Sequence, residues 1–191
     1  MTKATGFDSI YQKLLSDKTR HWGEQVILVI AIASFLIHLA IIYLVDFGII
    51  PPEKEFVPGI CIHHGGLLID INSLKYPGDI LHEAGHLAVA STENRKKMDG
   101  ILTNDHNEAP AEEMMAIAWS FAAAIYLNID PKIVFHEFGY KGGGSYIADN
   151  FINKNYFGVP MLQWLGFTKD EKNAAAEGVP AYPHMLKWLA T

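Results

Sequence analysis

The chain has 191 residues, 50% of them hydrophobic and only 19% charged, with a formal net charge of −6. That acidity, without any basic stripe, argues against a nucleic-acid partner, and the low charge content points to membrane contact or a large buried surface. The single cysteine, Cys61, excludes an intrachain disulfide framework and reads as a small buried residue.

Residues 1–25 are polar and mixed. Phe7, Ile10, Tyr11, Leu14 and Leu15 recur at helical spacing, so this N-terminal segment is either a short amphipathic helix or a tail. Residues 26–45 form an uninterrupted apolar run with His38 in its middle. About 20 such residues cross a hydrocarbon core of roughly 30 Å, which predicts a single transmembrane helix. Lys13, Lys18 and Arg20 precede the run and only Lys54 follows it closely. The positive-inside rule then puts the N-terminus in the cytoplasm and the rest of the chain outside. Residues 46–56, with Pro51-Pro52, read as a linker.

Two short apolar runs follow, Ile60-Cys61-Ile62 and Leu67-Leu68-Ile69-Asp70-Ile71, separated by His63-His64-Gly65-Gly66. They predict two strands and a glycine turn. His63 and His64 are read as exposed turn residues in preference to metal ligands. Pro77-Gly78 breaks the chain, Asp79 is a good N-cap, and residues 79–90 have helix-forming composition.

Inside that helix stands His82-Glu83-Ala84-Gly85-His86, an H-E-x-x-H pattern. Positions i and i+4 of a helix share a face, so His82 and His86 can offer two imidazole nitrogens to one zinc ion. Glu83 sits beside that ion as the general base for a water. Gly85 costs roughly 1 kcal/mol of helix stability against alanine, a cost that close approach of another backbone or a substrate would explain.

Glu93 to Lys97 reads as a solvated turn. A buried helix is predicted from about 111 to 127, opened by Pro110 and by acids that suit a helix start. Glu108, Glu112 and Glu113, the acids at and just before the start of this helix, are candidates for a third ligand. Residues 130–150 contain a three-glycine run, read as a cleft loop or a connection between helices. Tyr140, Tyr146, His136 and His106 are candidates for stabilising an oxyanion. Met161-Leu162-Gln163-Trp164-Leu165 and Met185-Leu186-Lys187-Trp188-Leu189 echo each other and predict two short helices pinned by tryptophan.

His82-Glu83-Ala84-Gly85-His86 resembles the signature of the zincin metallopeptidases. The resemblance implies two histidine ligands, a glutamate base and a strand before the metal helix that faces an extended substrate. It also favours Glu113 as third ligand, because Glu113-Met114-Met115-Ala116 matches the Glu-x-x-Ala pattern of glutamate-zincins, although Ile117 stands where an Asp or Asn is usual. The implied architecture is α+β, with an N-terminal transmembrane helix followed by a mostly helical zincin-like domain over residues 57–191 and a small hairpin or sheet before the metal helix. The expected function is zinc-dependent hydrolysis of peptide or protein substrates by a membrane-anchored enzyme with an extracytoplasmic catalytic domain. The alternatives are a non-catalytic metal-binding module and an intramembrane protease.

Overall fold

Two helices at right places in the sequence form the centre of the fold: α1, Asp79–Val89, and, after the short α2, Thr92–Lys97, the long α3, Pro110–Tyr126. The computed structural model describes residues 45–47, 57–99 and 110–191. Small residues bring α1 and α3 together. Ala84 and Ala88 on one helix and Ala116, Ala118, Ala122, Ala123 and Ala124 on the other are fully buried. A Cβ added at Gly85 would sit 2.8 Å from the Ala116 carbonyl oxygen and 2.9 Å from Ser120 Oγ. The glycine is therefore explained by the backbone of α3, not by a substrate.

The described residues form three strands, β1, Val45–Phe47, β2, Ile60–His63, and β3, Gly66–Ile69, and β3 packs against α1. Their order is β1-β3-β2, with β1 parallel and β2 antiparallel to β3. His64 and Gly65 both take positive φ, 51° and 76°. That is the backbone a two-residue hairpin needs to match the twist of its strands. Beyond α3 come α4, Pro131–Val134, a 3₁₀ turn at Tyr140–Gly142, α5, Gly144–Ile152, α6, Val159–Trp164, and α7, Glu171–Glu177. The C-terminal segment returns to the centre: Ala190 N–H donates to Ala88 O at 2.8 Å, and Trp119 Nε1 donates to Trp188 O at 3.0 Å.

Several expectations are corrected. The α+β mixture with a small sheet before α1 agrees with the structure, but the transmembrane element of the expected fold class does not. No helix among the described residues is long and apolar enough to cross a membrane. The longest described helix, α3, has 17 residues and is buried in the domain. Most of the 26–45 run lies outside the described residues, and its last residue, Val45, is in a strand paired with Leu67. A β-branched residue whose backbone groups are taken up by a neighbouring strand has no need of a helix there. The same strand takes the first two residues of the expected 46–56 linker.

The cap of α1 is Gly78, while Asp79 is the first helical residue and uses its carboxylate elsewhere. The stretch from Glu93 to Lys97 is helical because Ser91 accepts from Asn94 N–H and caps it. Within it Arg95 donates to the carbonyls of Leu87 and Ala90 at 3.0 and 3.1 Å, closing the end of α1. Of the two Met-Leu-x-Trp-Leu segments, only the first is helical. The second is irregular and held by tertiary bonds such as Leu186 N–H to Phe167 O, so that backbone group is satisfied without a helix.

Candidate metal centre

His82 and His86 lie one turn apart on α1, and Glu113 approaches them from the first turn of α3. His82 Nε2 and His86 Nε2 are 3.1 Å apart. The Glu113 carboxylate stands 3.2 Å from His86 Nε2 and 3.7 Å from His82 Nε2. Zinc–nitrogen and zinc–oxygen bonds of about 2.0–2.2 Å in a tetrahedron set ligand atoms roughly 3.3–3.5 Å apart. The three observed separations bracket that range.

The arrangement is poorly explained by hydrogen bonding alone. A single Nε2 hydrogen on His86 can serve only one of its two neighbours, and His82 Nδ1 is buried with no hydrogen-bond partner. A cation between the three groups would satisfy both Nε2 atoms and the carboxylate together. Burial first, then the neighbouring His86, lowers the His82 pKa from 6.5 to about 3, so its imidazole is neutral, the state that coordinates a metal. Burial pushes the Glu113 carboxyl up, but the hydrogen bond with His86 and the charges of the two histidines outweigh it and leave Glu113 below its ordinary value. With His82 neutral, the His86 bond is the pull that counts.

A pH dependence follows for the metal-free chain. The unfolded chain carries His82 with its ordinary pKa of 6.5, the folded chain with about 3, so the unfolded state binds more protons between those values. Stability is therefore fully present above 6.5 and is lost as pH falls toward 3. For His82 alone the loss between pH 7 and pH 5 is about 2 kcal/mol. Urea unfolding of chelator-stripped protein at both pH values measures it, and equal stability would contradict a neutral buried His82.

Glu112 is exposed and is not among the residues that converge on the two histidines, and Glu108 lies outside the described residues. The choice between Glu112 and Glu113 is made by the α1–α3 contact. Ala116 and Ser120 meet α1, Ser120 Oγ lying 3.0 Å from Leu81 O. Glu113, three and seven residues earlier, shares their stripe. Glu113→Ala is expected to weaken zinc binding by more than about 100-fold, since loss of even an indirect supporting group costs 10–100-fold. Glu112→Ala should leave it unchanged. Zinc affinity measured by competition with a chromophoric chelator separates the two, and the reverse pattern would move the ligand to Glu112.

The three groups open onto a cleft of about 400 Å³ whose lining also includes Glu83, Asp79, His136, Tyr140 and Lys141. Glu83 is buried, following His82 on the cleft side of α1. Asp79 Oδ1 and His136 Nε2 are 2.9 Å apart, both side chains nearly buried. Burial raises the Asp79 pKa more than the His136 hydrogen bond and charge lower it. Tyr76 stacks on His136 with ring centroids 4.1 Å apart and holds the imidazole in place. Tyr140 packs its ring edge-on to His82 at 5.0 Å, and its hydroxyl is buried without a hydrogen-bond partner. Burial, followed by the charges of Glu113, Asp79 and Glu83, raises its pKa well above 10, so the phenol keeps its proton and remains a donor.

Of the four oxyanion candidates, Tyr140 and His136 line the cleft, Tyr146 is 73% exposed elsewhere, and His106 lies outside the described residues. The expected substrate-facing strand contributes only through Val57 and Pro58, just ahead of β2. Sequence reasoning missed the Asp79–His136 pair and Lys141. No spacing rule joins residues 57 positions apart, and the apparent capping role of Asp79 concealed its partner. Comparison of the chain with protein-family models, with curated proteins and with solved structures returned no match.

Proposed function

We propose that the chain is a zinc-dependent peptidase of glutamate-zincin type, with His82, His86 and Glu113 as metal ligands and Glu83 as general base. The observation that carries this reading is the convergence of two imidazoles and one carboxylate at 3.1–3.7 Å, in a cleft that also holds a buried carboxylate next in sequence to the first histidine. Zinc, when bound, supplies a Lewis acid that polarises a carbonyl and brings the pKa of a water to about 7.

The protein's own groups do the rest. Glu83 takes the proton of the attacking water and passes it to the leaving amine, the two roles that one carboxylate serves in turn. Tyr140 donates its hydroxyl hydrogen to the oxygen on which negative charge develops. The Asp79–His136 pair presents a second polar group to the scissile peptide, with its ring fixed by Tyr76. A purely structural metal site has no use for a buried carboxylate and an orphan phenol beside it, and that favours turnover over a non-catalytic module.

The test is cleavage of casein and of a peptide library by the purified full-length chain, with and without a chelator. Hydrolysis that stops on chelation and returns with zinc supports the proposal; zinc binding with no cleavage of any peptide favours the non-catalytic module. Tyr140→Phe is expected to lower kcat by about 10²–10³-fold, the usual effect of removing one oxyanion donor, while zinc content and KM stay near wild type. An unchanged kcat would give the oxyanion to His136 instead.

A further inference from the structure

The geometry points to a second metal site, separate from the cleft, at the tip of the β2–β3 hairpin: His63, His64 and Asp99 as the ligands of a divalent transition ion such as Zn2+, Ni2+ or Cu2+. One atom from each of these three residues lies within 4.8 Å of the other two. His63 Nδ1 is 3.5 Å from one oxygen of Asp99, and His64 Nδ1 is 3.5 Å from the other. The carboxylate thus faces two imidazoles at once, and the two rings lean together with centroids 4.1 Å apart.

These separations are long for hydrogen bonds between nitrogen and oxygen, which favour about 2.7–3.2 Å. They leave the carboxylate between two imidazoles, with the three ligand atoms inside 4.8 Å, so that small side-chain rotations would bring them to the roughly 3.3–3.5 Å spacing of tetrahedral ligands on bonds of about 2.0–2.2 Å. Two imidazole nitrogens and one carboxylate oxygen select borderline ions over Mg2+ and Ca2+, which prefer an all-oxygen shell. The exposure of all three residues leaves the remaining coordination positions to water.

The backbone has already brought the ligands together. Gly65 N–H donates to Met98 O at 2.8 Å and docks the hairpin tip on the end of α2. His64 N–H donates to Asp99 Oδ1 at 3.4 Å. The left-handed backbone at His64 and Gly65 turns consecutive histidines, which would point to opposite faces of a strand, toward one carboxylate. Little ordering remains to be done on binding, which favours affinity. A bound ion would tie the turn at 63–64 to residue 99, and binding to the folded state alone would raise its stability.

The test is titration of chelator-stripped full-length protein with Zn2+ at pH 7.5, followed by calorimetry and metal analysis, for wild type, His64→Ala and Asp99→Asn. Both substituted positions lie on the surface, and circular dichroism checks folding. One equivalent of zinc is expected to disappear in both variants, with an affinity for that ion weakened more than about 100-fold, while the rest of the zinc is unchanged. The His82→Ala variant should keep the same Asp99-dependent equivalent, so failure of the peptidase reading leaves this result intact. Zinc stoichiometry and affinity identical in wild type, His64→Ala and Asp99→Asn would overturn the proposal.

Discussion

Glu83→Gln is expected to keep its zinc and lose hydrolysis by about 10²–10⁴-fold in kcat, the range that a positioned general base contributes. Glutamine preserves the length and shape of the side chain and its ability to accept a hydrogen bond. It removes only the capacity to hold a proton between the water and the leaving amine. Glu83 is buried in α1 at the cleft wall, so an isosteric change there leaves the α1–α3 contact undisturbed. Metal analysis and turnover on the same preparation read the two roles separately. Loss of zinc in this variant would make Glu83 a ligand, and retained activity would place the base elsewhere.

His86→Ala is expected to lose both zinc and activity. His86 is 6% exposed and is the hub of the cluster, with its Nε2 facing His82 on one side and Glu113 on the other. Alanine leaves one histidine and one carboxylate, a set with too few donors for a tetrahedral zinc ion. Zinc affinity should fall by more than about 100-fold, and hydrolysis should drop to background at micromolar zinc. Because the variant also takes from the half-buried Glu113 its nearest partner, far-ultraviolet circular dichroism and an unfolding curve must accompany the assay. His82→Ala offers the second arm, since His82 touches Glu113 only at 3.7 Å and its loss disturbs that carboxylate less. Activity surviving in either folded variant would contradict the ligand set.

What could be read from the sequence depended on the range of the interactions. The helix α1 was legible because its information is local: i and i+4 spacing, a break before it and helix-forming residues within it. The hairpin was legible for the same reason, through two apolar runs and a glycine turn. Packing pattern alone left Glu113 as one of three acids, and only the resemblance of Glu113-Met114-Met115-Ala116 to a Glu-x-x-Ala pattern favoured it; which face of α3 meets Gly85 is a tertiary fact. The pairing of Asp79 with His136 left no trace in local pattern, and neither did the convergence of His63 and His64 on Asp99.

The two Met-Leu-x-Trp-Leu segments make the same point in energetic terms. Trp164 is 85% exposed at the end of a helix, whereas Trp188 is 7% exposed, without a helix, against Trp119. Identical local patterns met different partners, and the partner decided. The apolar run at 26–45 shows the converse error, in which a length rule for membrane helices was extended to Val45, a residue that pairs with β3.

The most direct test of the metal centre is a crystal structure of the zinc-loaded chain with data collected on both sides of the zinc absorption edge. The account predicts an anomalous peak about 2.0–2.2 Å from His82 Nε2, His86 Nε2 and a Glu113 carboxylate oxygen. A map with no peak at His82 and His86, or with a peak there that Glu113 does not approach, would contradict it.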